Sequence, residues 1–298
     1  MQNTQGILVI ARNNKQIDYI KQAYFLAKQI KKFLNLPTSV ITDSLEYLEK
    51  NYTDYEDVFD KVIEVVYNKT DCLDTKLLSP SENHHIKFYR DGTNVEKRLQ
   101  FKNNCRAYVY DITPYEETLL LDTDIVVLDD VWKHCFSQEH DFLIYDESYD
   151  LAGFRDYSEF SYINNVGVKF YWATAVFFRK TAANKIFFDL ASHIQENWNH
   201  YRSVFQVGEN LLRNDHVFSI AIHIMNGYQD GNFANKMPGK LFYTMDKDIC
   251  WEISDNEITF LLEKQQYHGE YTLCKWKQHS IHVMNKYSLN RCIDKMEL

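Results

Sequence analysis

The chain has 298 residues, 45% of them hydrophobic and 25% charged, with a formal net charge of −9. That length supports one large domain with a sizeable core, and 9 Gly and 4 Pro leave little room for long flexible linkers. The acidic balance excludes a global electrostatic grip on nucleic acid or anionic membrane, and no stretch reaches the roughly 18 apolar residues that span a bilayer.

The opening MQNTQGILVIARNNK has neither the basic region nor the long apolar region of a signal peptide. The cysteines, Cys72, Cys105, Cys135, Cys250, Cys274 and Cys292, include no CxxC pair. Reduced structural thiols and a cytoplasmic location are the expectation.

Gly6–Ala11 (GILVIA) reads as a buried strand. Beyond it, Ile17, Ile20, Tyr24, Ala27, Ile30 and Leu34 recur at intervals of three and four, with Lys15, Gln22, Lys28, Lys31 and Lys32 mostly on the other side. This spacing predicts an amphipathic helix, stopped at Leu36-Pro37. Thr38–Asp43 (TSVITD) is the next strand. A β-α-β opening implies an α/β fold with a right-handed crossover. Ligands of such sheets sit beyond the carboxyl ends of the strands, where Ala11, Arg12 and Asp43 fall.

Val62–Val66 suggests a third strand, and residues 68–94, polar with Ser-Pro, His-His and Asp-Gly signals, read as an irregular loop. Phe101–Pro114 predicts a helix ending before Pro114. Arg98, Lys102 and Arg106 recur every four residues, so one helical face can carry all three just ahead of the next strand. Such a charge run is either a solvated face or a phosphate-facing one.

That strand, Thr118–Leu121, delivers Asp122-Thr123-Asp124. Carboxylates one residue apart on a strand point to opposite faces. On the turn at its end they can converge on one divalent cation, which offsets the cost of clustering them. The alternative is a polar loop with two solvated aspartates. His140–Glu147 and Val168–Lys180 read as strands, the latter interrupted by Trp172, Ala173 and Thr174. Thr181–Tyr201 reads as a helix with Ile186, Phe187, Leu190, Ile194 and Trp198 on one face. Asn214–Gly227 opens with an Asn-Asp cap signal, and Trp251–Phe260 reads as a hairpin with a Ser-Asp-Asn turn. No internal repeat, low-complexity tract or strong domain boundary interrupts residues 1–298.

RAYVYDITPYEETLLLDTDIVV (Arg106–Val127) resembles the core signature of nucleotide-sugar glycosyltransferases of the glycosyltransferase-A fold, nearest to the glycogenin and lipopolysaccharide galactosyltransferase type. The N-terminal β-α-β, the strand near TAVFFRK and a C-terminal histidine extend the likeness. The resemblance implies a single Rossmann-like domain with a mixed, mostly parallel central sheet flanked by helices. Residues 1–130 would be the nucleotide-sugar half, and 131–298 the acceptor half with a metal and diphosphate tail. It implies Mn²⁺ or Mg²⁺ on Asp122 and Asp124, completed by His282, with His279 a rival ligand. It also implies nucleoside contacts from Ala11, Arg12 and Asp43, and cofactor-side roles for Thr123, Lys286 and one of Arg98, Lys102 and Arg106. Asn285 stands where the family has glycine, and the family's following Pro-Trp is missing.

Asp215 is either a helix cap or, by the same resemblance, a catalytic acid on the acceptor side. The expected activity is metal-dependent transfer of a sugar from a nucleoside-diphosphate sugar, with UDP the commonest nucleotide of this fold, to a glycan or a modified DNA base, with retention slightly ahead of inversion. Nucleotidyl transfer and non-catalytic nucleotide-sugar binding on the same scaffold are the alternatives.

Overall fold

The computed structural model describes residues 4–13, 16–65, 106–153, 155, 160–163, 167–208, 212–264 and 269–296, and the backbone alone of 85–90 and 96–101. The first strand, β1 (Gln5–Ala11), leads to helix α1 (Tyr19–Phe33) and strand β2 (Thr38–Thr42), parallel to β1. The Asp18 side chain caps α1 by accepting the Lys21 N–H at 2.9 Å. Ile17, Ile20, Tyr24, Ala27, Ile30 and Leu34 are all buried, so the periodicity identified the face that packs. Lys31 and Lys32 occupy the last turn, where cations complement the helix dipole.

Helices α2 (Leu45–Asn51) and α3 (Tyr55–Val58) precede β3 (Lys61–Glu64), parallel to β2. Strands β4 (His85–Arg90) and β5 (Glu96–Phe101) then form an antiparallel pair. Part of the segment read as a loop is therefore a strand. The predicted helix at Phe101 is also corrected: Phe101 ends β5, and described helical backbone starts with a 3₁₀ turn at Arg106–Tyr108 followed by α4 (Val109–Ile112). α4 stops ahead of Pro114, which disfavours helical backbone in its predecessor.

Strand β6 (Glu117–Leu121) runs parallel to β1, and β7 (Ile125–Val126) follows the acidic turn. Next come β8 (Phe142–Tyr145), β9 (Ser148–Asp150) and β10 (Trp172–Arg179), then helices α5 (Ala182–Glu196), α6 (Trp198–Val204) and α7 (Asn214–Met225). The helix predicted over 181–201 breaks at Asn197, which closes α5 and opens α6. Ile186, assigned to its packed face, is 58% exposed; Phe187, Ile194 and Trp198 are buried. The last elements are β11 (Asn235–Lys236), β12 (Leu241–Thr244), β13 (Ile249–Ile253), β14 (Glu257–Glu263), β15 (Tyr271–Lys277), β16 (Ile281–Val283) and helix α8 (Lys286–Ile293). β13 and β14 form the expected hairpin, and β15 extends it.

The central seven-stranded sheet has the order β11-β8-β10-β6-β1-β2-β3. Its pairs are parallel except those that β10 makes with β6 and β8. It is thus a mixed, mostly parallel sheet with flanking helices, as expected. Parallel strands covered on both faces read as continuous apolar runs, and β2 and β6 are buried at every residue. Gly6 is required at the start of β1: an added Cβ would lie 2.3 Å from Tyr115 Cζ. The Tyr115 hydroxyl is in turn 2.6 Å from Ser39 Oγ on β2.

A smaller sheet, β7-β16-β12-β9, carries the C-terminal segment to the edge of the main sheet. A buried ion network stands behind it. Arg155 bonds Asp150 (Nε–Oδ2, 2.5 Å) and Asp248 (Nη2–Oδ2, 2.7 Å), with all three side chains at most 5% exposed. Asp248 also accepts the Met245 and Glu263 N–H groups, and its carbonyl accepts Asn285 Nδ2 at 2.7 Å. Cys135, Cys250, Cys274 and Cys292 are free thiols; Cys72 and Cys105 lie outside the described residues. No helix among the described residues is long and apolar enough to cross a membrane.

Candidate metal and phosphate site

The acidic turn leaves the carboxyl end of β6 between two backbone anchors. The Asp122 N–H donates to the Thr174 carbonyl at 2.9 Å, and the Asp124 carbonyl accepts the Val283 N–H at 2.8 Å. The second anchor follows from β7 pairing antiparallel with β16, which sets Ile125 opposite His282. From the other side α1 holds the same segment by two buried glutamines seven positions apart. Gln22 Oε1 accepts the Thr123 hydroxyl at 3.1 Å, and Gln29 Oε1 accepts the Val127 N–H at 2.9 Å.

These anchors turn both carboxylates toward the C-terminal segment. One ligand atom each from Asp122, Asp124 and His282 lie within 4.8 Å of one another. Asp124 is buried, and its Oδ2 meets His282 Nε2 at 3.1 Å and also Lys286 Nζ. Arg106 Nη2 donates to Asp122 Oδ1. Two buried atoms here, His282 Nδ1 and Arg106 Nη1, have no hydrogen-bond partner among the described residues.

The charges set one another. Burial lifts the Asp122 carboxyl above the ordinary range, with Asp124 adding to the rise and Arg106 opposing it. Burial also works against ionisation of Asp124, but Lys286 and His282 outweigh it and hold that carboxyl well below the usual carboxylate range. Lys286, though buried, is held above the ordinary lysine range, chiefly by Asp124.

Two carboxylates and an imidazole this close fit one divalent ion. Carboxylates suit Mg²⁺ and Mn²⁺, and the imidazole moves the preference toward Mn²⁺.

Other predicted residues fall variously. Ala11 pairs in register with Thr42, and Arg12 Nε bonds Asp43 Oδ2 at 3.0 Å, so all three stand at the carboxyl ends of β1 and β2. Arg98 lies on β5, which corrects the shared helical face, and Lys102 lies outside the described residues; Arg106 stands at the acidic turn. The Thr123 hydroxyl is buried and donates to Gln22 Oε1. His279, the rival ligand, is 59% exposed, with Nδ1 3.7 Å from Asp129 Oδ2.

Asp215 lies in the first turn of α7, but the helix is capped by Arg213, without a side-chain cap bond. The Asp215 carboxylate instead accepts the Ala173 N–H at 2.9 Å and Arg213 Nη2 at 3.1 Å. Ala173 adjoins Thr174, whose carbonyl receives Asp122, so the start of β10 links the two acids. There β10 shifts register against β8 between Trp172 and Val176, the sort of irregularity that re-aims side chains beside a site.

Gln22, expected with the lysines on the outer side of α1, is instead fully buried, and the equally inward Gln29 was not singled out. Their seven-residue spacing was the available signal, but glutamines on a helix normally mark its wet face.

The described residues thus combine a mixed α/β sheet with an acidic cluster, able to hold a cation, at the carboxyl ends of its strands. No protein-family model and no curated protein matches the chain. Among solved structures it is similar to the glycosyltransferase GlyE of Streptococcus pneumoniae TIGR4 (12% identity, TM-score 0.40), over 78% of this chain and 45% of that one. The match thus spans less than half of GlyE. It is similar to mouse xyloside xylosyltransferase 1 (10% identity, TM-score 0.44), over 78% of this chain and 84% of that one. It is also similar to the galactosyltransferase LgtC, solved with donor and acceptor sugar analogues (13% identity, TM-score 0.42), over 73% of this chain and 70% of that one.

Proposed function

We propose that the chain transfers a sugar from a nucleoside-diphosphate sugar, with UDP as the expected nucleotide, to a hydroxyl acceptor, using Mn²⁺ or Mg²⁺ held by Asp122, Asp124 and His282. The observation that carries this reading is the convergence of those three residues with Lys286 and Arg106 at the carboxyl edge of an α/β sheet. Breaking a glycosyl bond to a diphosphate leaves negative charge on the departing phosphate. A bound divalent cation would neutralise part of that charge. Lys286 and Arg106 would add fixed positive charge beside it, and Ala11, Arg12 and Asp43 would border the nucleoside.

Asp215 is the acceptor-side acid in this reading. Its ion pair with Arg213 and its bond from the Ala173 amide keep it ionised but make it a weak base. Inversion needs a carboxylate base at the acceptor hydroxyl, so retention is favoured. A glycan is favoured over DNA as acceptor, because duplex binding gains from a basic face and the chain is acidic.

The test is thermal unfolding with UDP, GDP, CDP and ADP, each with and without Mn²⁺, followed by assay of nucleotide-sugar hydrolysis without acceptor. One nucleotide should stabilise the protein by a few degrees only with metal, because a ligand bound to the folded state adds to stability. Asp124→Asn should abolish the response. Asp122→Asn, at a more exposed position, should do the same and guards against a simple folding defect. No response in wild type, or a normal response in both variants, would reject the reading. Binding without hydrolysis would assign the chain to nucleotide-sugar binding alone.

A further inference from the structure

Asn285 lies between the strand that carries His282 and the helix that begins with Lys286. Its backbone has φ −78° and ψ 76°, and the Lys286 N–H donates to the Met284 carbonyl at 2.9 Å. That is an inverse γ-turn, a common way to leave a strand. Such a φ suits any L-residue, so the backbone does not call for glycine here. The side chain is fully buried and bonded at both ends. Its Oδ1 caps α8 by accepting the Ser288 N–H at 3.1 Å, and its Nδ2 donates to the Asp248 carbonyl at 2.7 Å.

The second bond is what selects Asn. A helix cap needs only an acceptor, which Ser, Thr or Asp supplies as well. The amide adds a donor. Its target is itself held: Arg155 bonds both carboxylate oxygens of Asp248, at 2.9 and 2.7 Å. Asn285 therefore ties the start of α8 to the buried ion network. Lys286 follows directly, buried, with its ammonium on Asp124 Oδ2. A lysine carries a point charge on a flexible stem, so its aim depends on where its backbone is fixed.

We propose that Asn285 is a positioning residue for Lys286: its bond to the Asp248 carbonyl sets how α8 leaves β16, and so where the Lys286 ammonium stands to meet a diphosphate. This rests on the nucleotide-sugar reading above. His282 has separate support, because β16 pairs with β12 on one side and β7 on the other, opposite Tyr243 and Ile125. Loss of the tether should therefore weaken the hold on phosphate and spare the hold on metal.

The test uses the full chain as wild type, Asn285→Ser, Lys286→Met and the double variant. Ser keeps a hydroxyl for the cap but is too short to reach Asp248. Mn²⁺ affinity is read from the electron paramagnetic resonance of free Mn²⁺. Affinity for UDP, GDP, CDP and ADP at saturating Mn²⁺ is read by calorimetry at low temperature, and Tm is taken on the apo protein. Asn285→Ser should bind Mn²⁺ within about twofold of wild type and the best nucleotide about five- to tenfold more weakly. Added to Lys286→Met, it should cost no further nucleotide affinity, yet lower Tm as much as it does alone, because only the binding effect passes through Lys286. Unchanged nucleotide affinity in Asn285→Ser would overturn the proposal. So would a full further loss on the Lys286→Met background, or an equal loss of Mn²⁺ affinity, either of which would assign Asn285 a purely structural role. If Asn285→Ser is unfolded, Asn285→Asp, which also keeps the cap acceptor and lacks the donor, takes its place in the same comparison. Wild type that binds no nucleotide with Mn²⁺ removes the underlying reading as well, which separates the two failures.

Discussion

Gln22 Nε2 donates to the Lys286 carbonyl at 3.1 Å, across 264 positions of sequence. The same amide reaches Asn290 Oδ1 at 2.7 Å, and its oxygen receives Thr123. One buried side chain thus joins the first helix, the acidic turn and the last helix.

Gln22→Leu fills the same space but takes away the partner of the Thr123 hydroxyl and of Asn290 Oδ1. Leaving buried polar groups unpaired costs about 1–3 kcal/mol, so Tm should fall by roughly 5 °C. Because Gln22 holds the start of α8, the variant should also bind Mn²⁺ and nucleotide more weakly. Chemical denaturation and calorimetry check both. Wild-type stability would mean that the three bonds contribute nothing in solution.

Asp215 provides a pH prediction. Burial alone would raise its carboxyl, but Arg213 and the Ala173 amide outweigh burial and hold it below the ordinary range. A lowered folded-state pKa gives stability that is present above the unfolded value, about 3.9, and is lost as pH falls toward the folded one. Asp215→Asn should therefore be less stable at pH 7, by about 1 kcal/mol, and show a shallower loss as pH falls below about 4. Denaturant titrations across that window decide it, and superimposable acid limbs would refute the assignment.

Arg155 stands between two buried carboxylates. Arg155→Met leaves Asp150 and Asp248 buried without their cation, and breaking such a pair from one side costs about 3–5 kcal/mol. Urea unfolding should show a loss of that order. Met at 155 together with Asn at 150 and 248 should recover much of it, because the uncompensated charge is what harms the single variant. A single variant within about 1 kcal/mol of wild type would show that solvent reaches the network.

The legible parts of the fold were those with local causes. Ile20, Tyr24, Ala27 and Ile30 pack because their spacing places them on one helical face, and the Ser254–Asn256 turn makes a hairpin from adjacent runs. The carboxyl edge was legible too, since Ala11 ends β1 and Asp43 and Asp122 directly follow β2 and β6. What escaped depends on distant partners. Gln22 and Gln29 find theirs about a hundred positions away, at Thr123 and Val127, and nothing near either glutamine announces this. Arg155 gives no signal without knowing that Asp248 comes beside it. Arg98 and Lys102 misled because a four-residue spacing suggests a helix wherever it occurs, yet the backbone at Arg98 is extended.

The direction of β6 also has a practical use. It rises by about 13 Å from Glu117 to Leu121, and the acids cluster at the far end. Glu116, exposed just before the strand begins, is therefore a suitable place to attach a dye or tether the protein to a sensor surface, because a probe fixed there faces away from any ligand entering at the opposite rim.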